Sequence, residues 1–272
     1  MIFIQEQMDR EGRKMHFRKY FEIFKYSVKT QIKFILDYCV SLCSFAIHVF
    51  VFNELWDYIL QGKQVAGYTR EELIWYIIIA EFITYSSFKA YKKISEMVKN
   101  GTIANMLIRP VDFVNYTIME NMSVYIKAFV NLICAILIGL VLVGPIPISG
   151  LGLVFAFVAA MIGVFIGILL QVFIGLISFF TEENNSFWLI VQKLSFFLVF
   201  TPIEFYPEIV QKILACLPTT YLVYAPARIF TKFDLVDSLQ LLGLEVLSGV
   251  VLYVVIRLMY RKGVKKINVN GG

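Results

Sequence analysis

Five ionisable residues of this 272-residue chain fall inside or beside long apolar runs: Asp37, His48, Glu81, Lys193 and Glu245. A charge in hydrocarbon is costly, so such residues are functional candidates by default. They are too few and too dispersed to draw a proton relay. Asp37, Glu81 and Lys193 stand near the ends of their runs, where a side chain can snorkel to water, and this singles out Glu245 and His48. Cys39, Cys43, Cys134 and Cys216 sit in apolar surroundings with no CxxC pair or histidine cluster nearby, so neither a disulfide framework nor a metal site is expected. Cys39 and Cys43, one helical turn apart, read as small buried hydrophobes. No GxxxxGK[ST] phosphate loop and no Gly-rich strand-to-helix turn occurs, so the chain does not hold ATP by that route. HExxH, GxSxG and magnesium-holding aspartate clusters are missing too, which leaves membrane enzyme chemistry nothing visible to stand on.

The elements that must position these residues are membrane helices. Hydrophobic residues make up 59% and charged residues 17%, and the mean hydropathy is +0.73, more apolar than the mixed surface of a soluble domain permits. Only helices and closed barrels satisfy every backbone group in lipid, and runs this long and unalternating exclude barrel strands. The expected fold is all-α and polytopic, with six spans at about 34–56, 72–94, 122–143, 151–179, 187–203 and 235–257. The spans make up a transmembrane domain at 34–257. A cytoplasmic N-terminus (1–33) precedes it, a second cytoplasmic loop (95–121) and an outer segment (202–234) interrupt it, and a tail (258–272) follows. Eight basic residues precede the first run and no small-residue cleavage pattern follows it, so no cleavable signal is expected. With the N-terminus inside, 20 of the 25 basic residues fall on the cytoplasmic side, and the positive-inside rule places both termini there.

Phe17, Tyr20, Phe21, Phe24, Val28, Ile32 and Ile35 recur at three- and four-residue spacing as one apolar stripe. Arg18, Glu22, Lys25, Lys29 and Lys33 fall away from it, the pattern of a basic amphipathic helix in the inner headgroup layer. In the second cytoplasmic loop, Asn100-Gly101 is a turn signal, Thr102 can cap a following helix, and Pro110 biases Arg109 out of helical geometry. A short amphipathic helix over 102–109 follows, whose Ile103, Met106, Leu107 and Ile108 cannot all face lipid. Ala159, Gly163 and Gly167 repeat every four residues in the fourth span, a small face suited to close helix approach.

Between the fifth and sixth spans, Pro202, Pro207, Pro218 and Pro226 punctuate a stretch too apolar for an aqueous loop and too interrupted for a span. Two short helices, at 208–217 and 221–230, are expected there as a re-entrant hairpin. Glu204, Glu208 and Arg228 belong at its wet rim.

Several of these pieces, in order, resemble the permease subunits of ABC-2 type exporters, the bacterial subfamily of about six spans with a short Gly-Gly tail. Asn100-Gly101 with Leu107-Ile108-Arg109-Pro110-Val111-Asp112, and Phe180-Thr181-Glu182-Glu183, carry part of the likeness. Pro202-Ile203-Glu204-Phe205-Tyr206-Pro207, Leu217-Pro218, Tyr221, Pro226-Ala227-Arg228 and Gly271-Gly272 carry the rest. The resemblance implies a plasma-membrane dimer of permeases, identical or paired with a similar second subunit, seated on cytoplasmic ABC ATPase subunits. Those partners hold ATP and magnesium; this chain holds no cofactor and meets no nucleic acid. The resemblance also implies contact with the ATPases through the N-terminal helix and the second loop, with Gly101, Thr102, Asn105, Leu107, Arg109 and Pro110 as coupling residues. It implies an outer lid that includes Pro202, Glu204, Tyr206, Pro207, Pro218, Tyr221 and Arg228. Trp and Arg are ordinary in number along the expected path, so nothing marks the substrate as sugar, lipid or peptide. An ion-coupled secondary transporter is the first alternative, but no inverted repeat or convergent midplane charge supports it; a membrane enzyme is the second.

The charge distribution yields a topology prediction. In a background without the native cysteines, single cysteines near Gln61, Ser149 and Lys232 label from outside with impermeant thiol reagents. Labelling of intact cells at Asn100 or Asn270 instead would reverse the orientation.

Overall fold

Wherever lipid surrounds a chain its backbone hydrogen bonds must close internally, and helices do this throughout the parts of the protein described by the computed structural model, residues 19–29, 35–86, 89–108, 110–145, 148–181 and 184–266. In chain order these are α1 (19–29), α2 (Ile35–Leu60), α3 (Arg70–Tyr85), α4 (Ala90–Lys99), α5 (Ile103–Leu107) and α6 (Phe113–Asn121). There follow α7 (Val124–Leu142), α8 (Gly150–Ile177), α9 (Asn185–Phe200), α10 (Glu208–Ala215), α11 (Pro218–Thr231) and α12 (Leu235–Gly263). Short 3-10 turns at Ile203–Phe205 and Val264–Lys266 complete the series, and no strand occurs among the described residues. Phe17, Arg18, Ile32, Lys33, Arg109, Glu182, Glu183 and the Gly271-Gly272 tail lie outside them.

Four stretches are long and apolar enough to cross a bilayer, namely Arg70–Lys99, Phe113–Leu142, Gly150–Ile177 and Leu235–Lys266. The pair α10 and α11, bent by 107°, makes a fifth if taken as one crossing. The chain is thus an all-helical, multi-pass membrane protein.

Packing centres on α3 and α8. In α3 every residue from Leu73 to Ile83 is buried, so it has no lipid face, as befits a helix that is apolar all round. It begins two residues before the expected start because Thr69 and Glu72 form a capping box: the Thr69 hydroxyl accepts from the Glu72 N–H at 3.3 Å and the Glu72 carboxylate from the Thr69 N–H at 2.9 Å. Near its C-terminus the hydroxyls of Thr84 and Ser86 donate back to the carbonyls of Ala80 and Phe82, a habit that bends helices. α3 and α4 together make up the Arg70–Lys99 stretch named above.

Small residues let the helices close up. A Cβ on Gly139 would stand 2.4 Å from the Trp75 ring, and one on Gly163 would stand 2.8 Å from the Leu222 carbonyl oxygen. A Cβ on Gly167 would meet the Leu222 side chain at 3.3 Å. The small face of α8 thus receives α11, the helix that the sequence left unspecified.

The loop between α4 and α6 departs from expectation at Thr102. Gly101 ends α4 in left-handed geometry (φ +67°), which glycine adopts at no steric cost, but Thr102 does not cap the next helix. It is itself helical in φ and ψ, and its hydroxyl donates back to the Met97 carbonyl at 3.4 Å. A cap needs extended geometry to aim its oxygen at the helix amides. The resulting α5 is a five-residue turn, Ile103–Leu107, shorter than the 102–109 helix expected.

On that same side the chain is cross-tied. Arg257 Nη1 of α12 meets Asp112 Oδ1, the N-cap of α6, at 2.6 Å, and the Tyr253 hydroxyl donates to Asn115 Oδ1 at 3.0 Å. Lys93 pairs with Glu120 at 2.6 Å, and the Ser27 hydroxyl of α1 lies 2.7 Å from that of Ser123.

Candidate functional site

The proline-rich segment read as outer from the sequence begins where α9 stops. Pro202 and Pro207 occupy the N-cap positions of the 3-10 turn and of α10, and Pro218 stands at the first turn of α11. A missing N–H costs nothing at a helix start, where that donor would have no partner, so these three prolines start helices. Only Pro226 lies within one.

The bend between α10 and α11 leaves the last carbonyls of α10 without helical donors. Side chains from the first turn of α11 supply them: the Thr220 hydroxyl donates to the Leu214 carbonyl at 2.5 Å and the Tyr221 hydroxyl to the Ala215 carbonyl at 2.8 Å. Upstream, the Tyr206 hydroxyl lies 2.7 Å from that of Thr201, while its carbonyl accepts from Gln211 Nε2 at 2.8 Å. Backbone groups at the break are thus satisfied within the protein.

A single carboxylate oxygen ties this segment to α3. Glu204 Oε1 accepts from the Tyr68 hydroxyl at 3.2 Å, from the Tyr224 hydroxyl at 2.8 Å and from Arg228 Nε at 3.1 Å. Arg228 also donates to the Lys232 carbonyl at 2.6 Å. The Lys232 ammonium stands 3.7 Å from the centroid of the Tyr68 ring and donates to the Gly67 carbonyl, a cation–π contact backed by a hydrogen bond. Burial, and after it the negative charge of Glu204, push the Tyr68 hydroxyl well above the ordinary tyrosine value, so it remains a donor. Below this cluster the Tyr76 hydroxyl donates to the Leu198 carbonyl at 2.7 Å, joining α3 to α9.

The placement corrects part of the sequence reading. Glu208 is exposed, but Glu204 and Arg228, expected at a wet rim, are 29% and 19% exposed and paired with each other. The segment turns its polar groups inward because α3 offers tyrosines and a buried wall there. Pro202 and Tyr221 are buried, Tyr206 and Pro218 half-buried, and Pro207 exposed. Tyr68, Tyr224 and Lys232 belong to the cluster yet carried no motif. The one hint was the position of Tyr68 and Lys232 in two loops that the sequence places on one side of the membrane.

The second sequence-predicted group lies in the loop after α4, far from the first in the chain. Gly101, Thr102, Asn105 and Pro110 are exposed and Leu107 is half-buried. Ile103 is buried under α5, whereas Ile108 is 82% exposed.

Among the intramembrane ionisable residues, His48 and Glu245 do not meet. His48 Nδ1 instead lies 3.0 Å from Glu81 Oε1 and 3.1 Å from the Tyr85 hydroxyl. Glu81, read from sequence as snorkelling near a span end, is only 2% exposed; α2 brings His48 to it, so it has no need to reach water. Lys193 is exposed on α9, with the Phe196 ring 5.9 Å away. Cys43, Cys134 and Cys216 are free thiols, and no group of three or more metal-binding side chains gathers among the described residues.

Residues 42–271 match a family model described as ABC-2 family transporter protein. No curated protein matches the chain.

The Glu204 cluster predicts an ordered mutational series. Glu204→Ala strands Arg228 and two hydroxyls, and removing a charge-assisted partner of this kind costs about 1.5–3 kcal/mol. Tyr68→Phe removes one hydroxyl and costs about 1 kcal/mol. Thermal unfolding of the detergent-solubilised protein checks this order; equal stability of wild type and Glu204→Ala would show the cluster to be dispensable.

Proposed function

Because this chain belongs to the ABC-2 transporter family, we propose that it is the membrane-spanning permease subunit of an ATP-driven exporter, working with separate ATPase subunits. As a member of the family it is a transport component of the membrane. The finer reading has six spans, both termini in the cytoplasm, residence in the bacterial plasma membrane, and assembly as a dimer with itself or a similar permease. The 26 residues of α2 and the apolar 16 of α9 support counting each as a crossing beside those already named. At about 1.5 Å per residue, α2 exceeds the roughly 30 Å of hydrocarbon.

The observation that carries the coupling reading is Ile108. An isoleucine 82% exposed beside a single-turn helix, with Gly101, Thr102, Asn105 and Pro110 also open, is a small rigid surface with one apolar tooth. Such a tooth suits a groove on a partner protein. Force from ATP-driven closure of the ATPases enters there and passes to the spans, since Asp112 and Glu120 bind α12 and α4 just downstream. ATP and magnesium reside on the ATPases, in keeping with the missing phosphate loop in this chain.

The bent pair α10 and α11, with the 3-10 turn before it, is the outer lid in this reading. Opening breaks the Glu204 contacts with Tyr68, the only member of that cluster on the α3 side whose hydroxyl reaches the carboxylate among the described residues. A change from closed to open is thereby concentrated on a few exchangeable polar contacts.

Purification in mild detergent tests the coupling. The wild-type permease retains an ATPase, while Leu107→Ala combined with Arg109→Glu lowers retention at least about tenfold with the protein still inserted. Undiminished retention and transport would mean that the turn merely rests on the membrane. The lid is tested at Cys216, exposed at the bend, after replacement of the other three cysteines. A small impermeant thiol reagent reaches it from outside, and its rate changes several-fold when the ATPases are trapped with nucleotide. Equal rates in both states would remove the lid.

A further inference from the structure

Glu245 takes no part in the cluster described above. It lies in the middle of α12, its side chain is 0% exposed, and neither of its carboxylate oxygens has a hydrogen-bond partner. The helices around it offer no free cation. The sequence of α8 contains no Asp, Glu, Lys, Arg or His. On α11, Arg228 is bound to Glu204, and the hydroxyls of Tyr221 and Tyr224 donate to the Ala215 carbonyl and to Glu204. On α12 itself the charged residues are Asp237 in the first turn, Arg257 bound to Asp112, and Arg261 and Lys262 in the last turn, each two turns or more away. An unpaired carboxylate ion in such a place carries a large desolvation penalty, and a buried acid relieves it by keeping its proton.

An independent deficit lies on the neighbouring helix. Pro226 is inside α11 and has no N–H, so the carbonyl of Leu222, four residues earlier, lacks its helical donor. That oxygen lies 2.8 Å from the point where a Cβ on Gly163 would stand. Glu245 Oε1 lies 3.5 Å from the same point. A carbonyl deprived of its helical donor and a carboxyl group without a partner therefore both border the gap left by a glycine.

We propose that Glu245 is a neutral carboxylic acid whose O–H donates to the Leu222 carbonyl, making it the positioning residue that holds α11 between α8 and α12. One hydrogen bond then answers both deficits: it gives the proline-freed carbonyl a donor and the buried carboxyl group an acceptor. Gly163 is the third component, because any side chain there would fill the space in which the two groups meet. The inference rests on packing within the chain and needs neither the lid nor the ATPases to be correct.

Four forms of the purified protein test it, compared by thermal unfolding. Glu245→Gln keeps the shape and a donor and unfolds within about 2 °C of wild type. Glu245→Leu keeps the bulk, removes the donor, and unfolds at least about 4 °C lower. Adding Pro226→Ala to Glu245→Leu restores most of the loss, because the new N–H at position 226 donates to the Leu222 carbonyl; a residue that merely filled space would give no such rescue. Infrared difference spectra of wild type minus Glu245→Gln show the carbonyl stretch of a protonated carboxylic acid. A Glu245→Gln variant as damaged as Glu245→Leu would mean that the ion is required. That result would overturn the proposal, as would wild-type stability of Glu245→Leu, failure of the proline replacement to rescue, or absence of the protonated-acid band. Should Glu245→Leu not fold at all, the glutamine variant, the double variant and the infrared band still decide.

Discussion

Inside hydrocarbon no water stands ready to satisfy a backbone group, so a helix that contains a proline and begins at a sharp bend can persist there only within protein. α11 is such a helix, and the arrangement around it follows from that condition. It packs chiefly on α8 and α3, with α9 and α12 closing the remaining sides, and nearly all of its residues from Thr219 to Thr231 are buried. Gly163 and Gly167 admit it to α8, Thr220 and Tyr221 supply donors at the bend, and Glu204 holds its C-terminal half to Tyr68, just ahead of α3. Dispersion and close approach, not exclusion of water, favour such contacts between membrane helices, which is why small residues gather at them.

The long apolar runs were legible from the sequence because lipid imposes a length and a composition that few other environments demand. The ends were less so. Thr69 and Glu72 start α3 early through a reciprocal pair of hydrogen bonds, and near the end of the same helix Thr84 and Ser86 bond back to its carbonyls. Both effects depend on one hydroxyl at one position, too local for hydropathy to register. The outer prolines were legible as breaks, but they act as starts, since their placement relative to each helix is decided by the packing of α10 and α11.

The candidate site was legible on one side only. Glu204, Tyr206, Pro207, Pro218, Tyr221 and Arg228 stand close together in sequence and could be read as a group. Tyr68 lies 136 residues from Glu204, and nothing in a single sequence joins them. The same holds for His48 and Glu81, 33 residues apart: each was visible as an isolated intramembrane polar residue, and neither revealed its partner. Pairings of this kind arise from which helices become neighbours, and six apolar runs of similar character leave that choice open.

The tie between Asp112 and Arg257 is one of two ion pairs that fasten the same end of the bundle. Asp112 is at once the cap of α6 and the anchor of α12. Lys93 and Glu120 form the second pair. The two ties join α4, α6 and α12 at that end, so none of the three helices shifts there without stretching an ion pair.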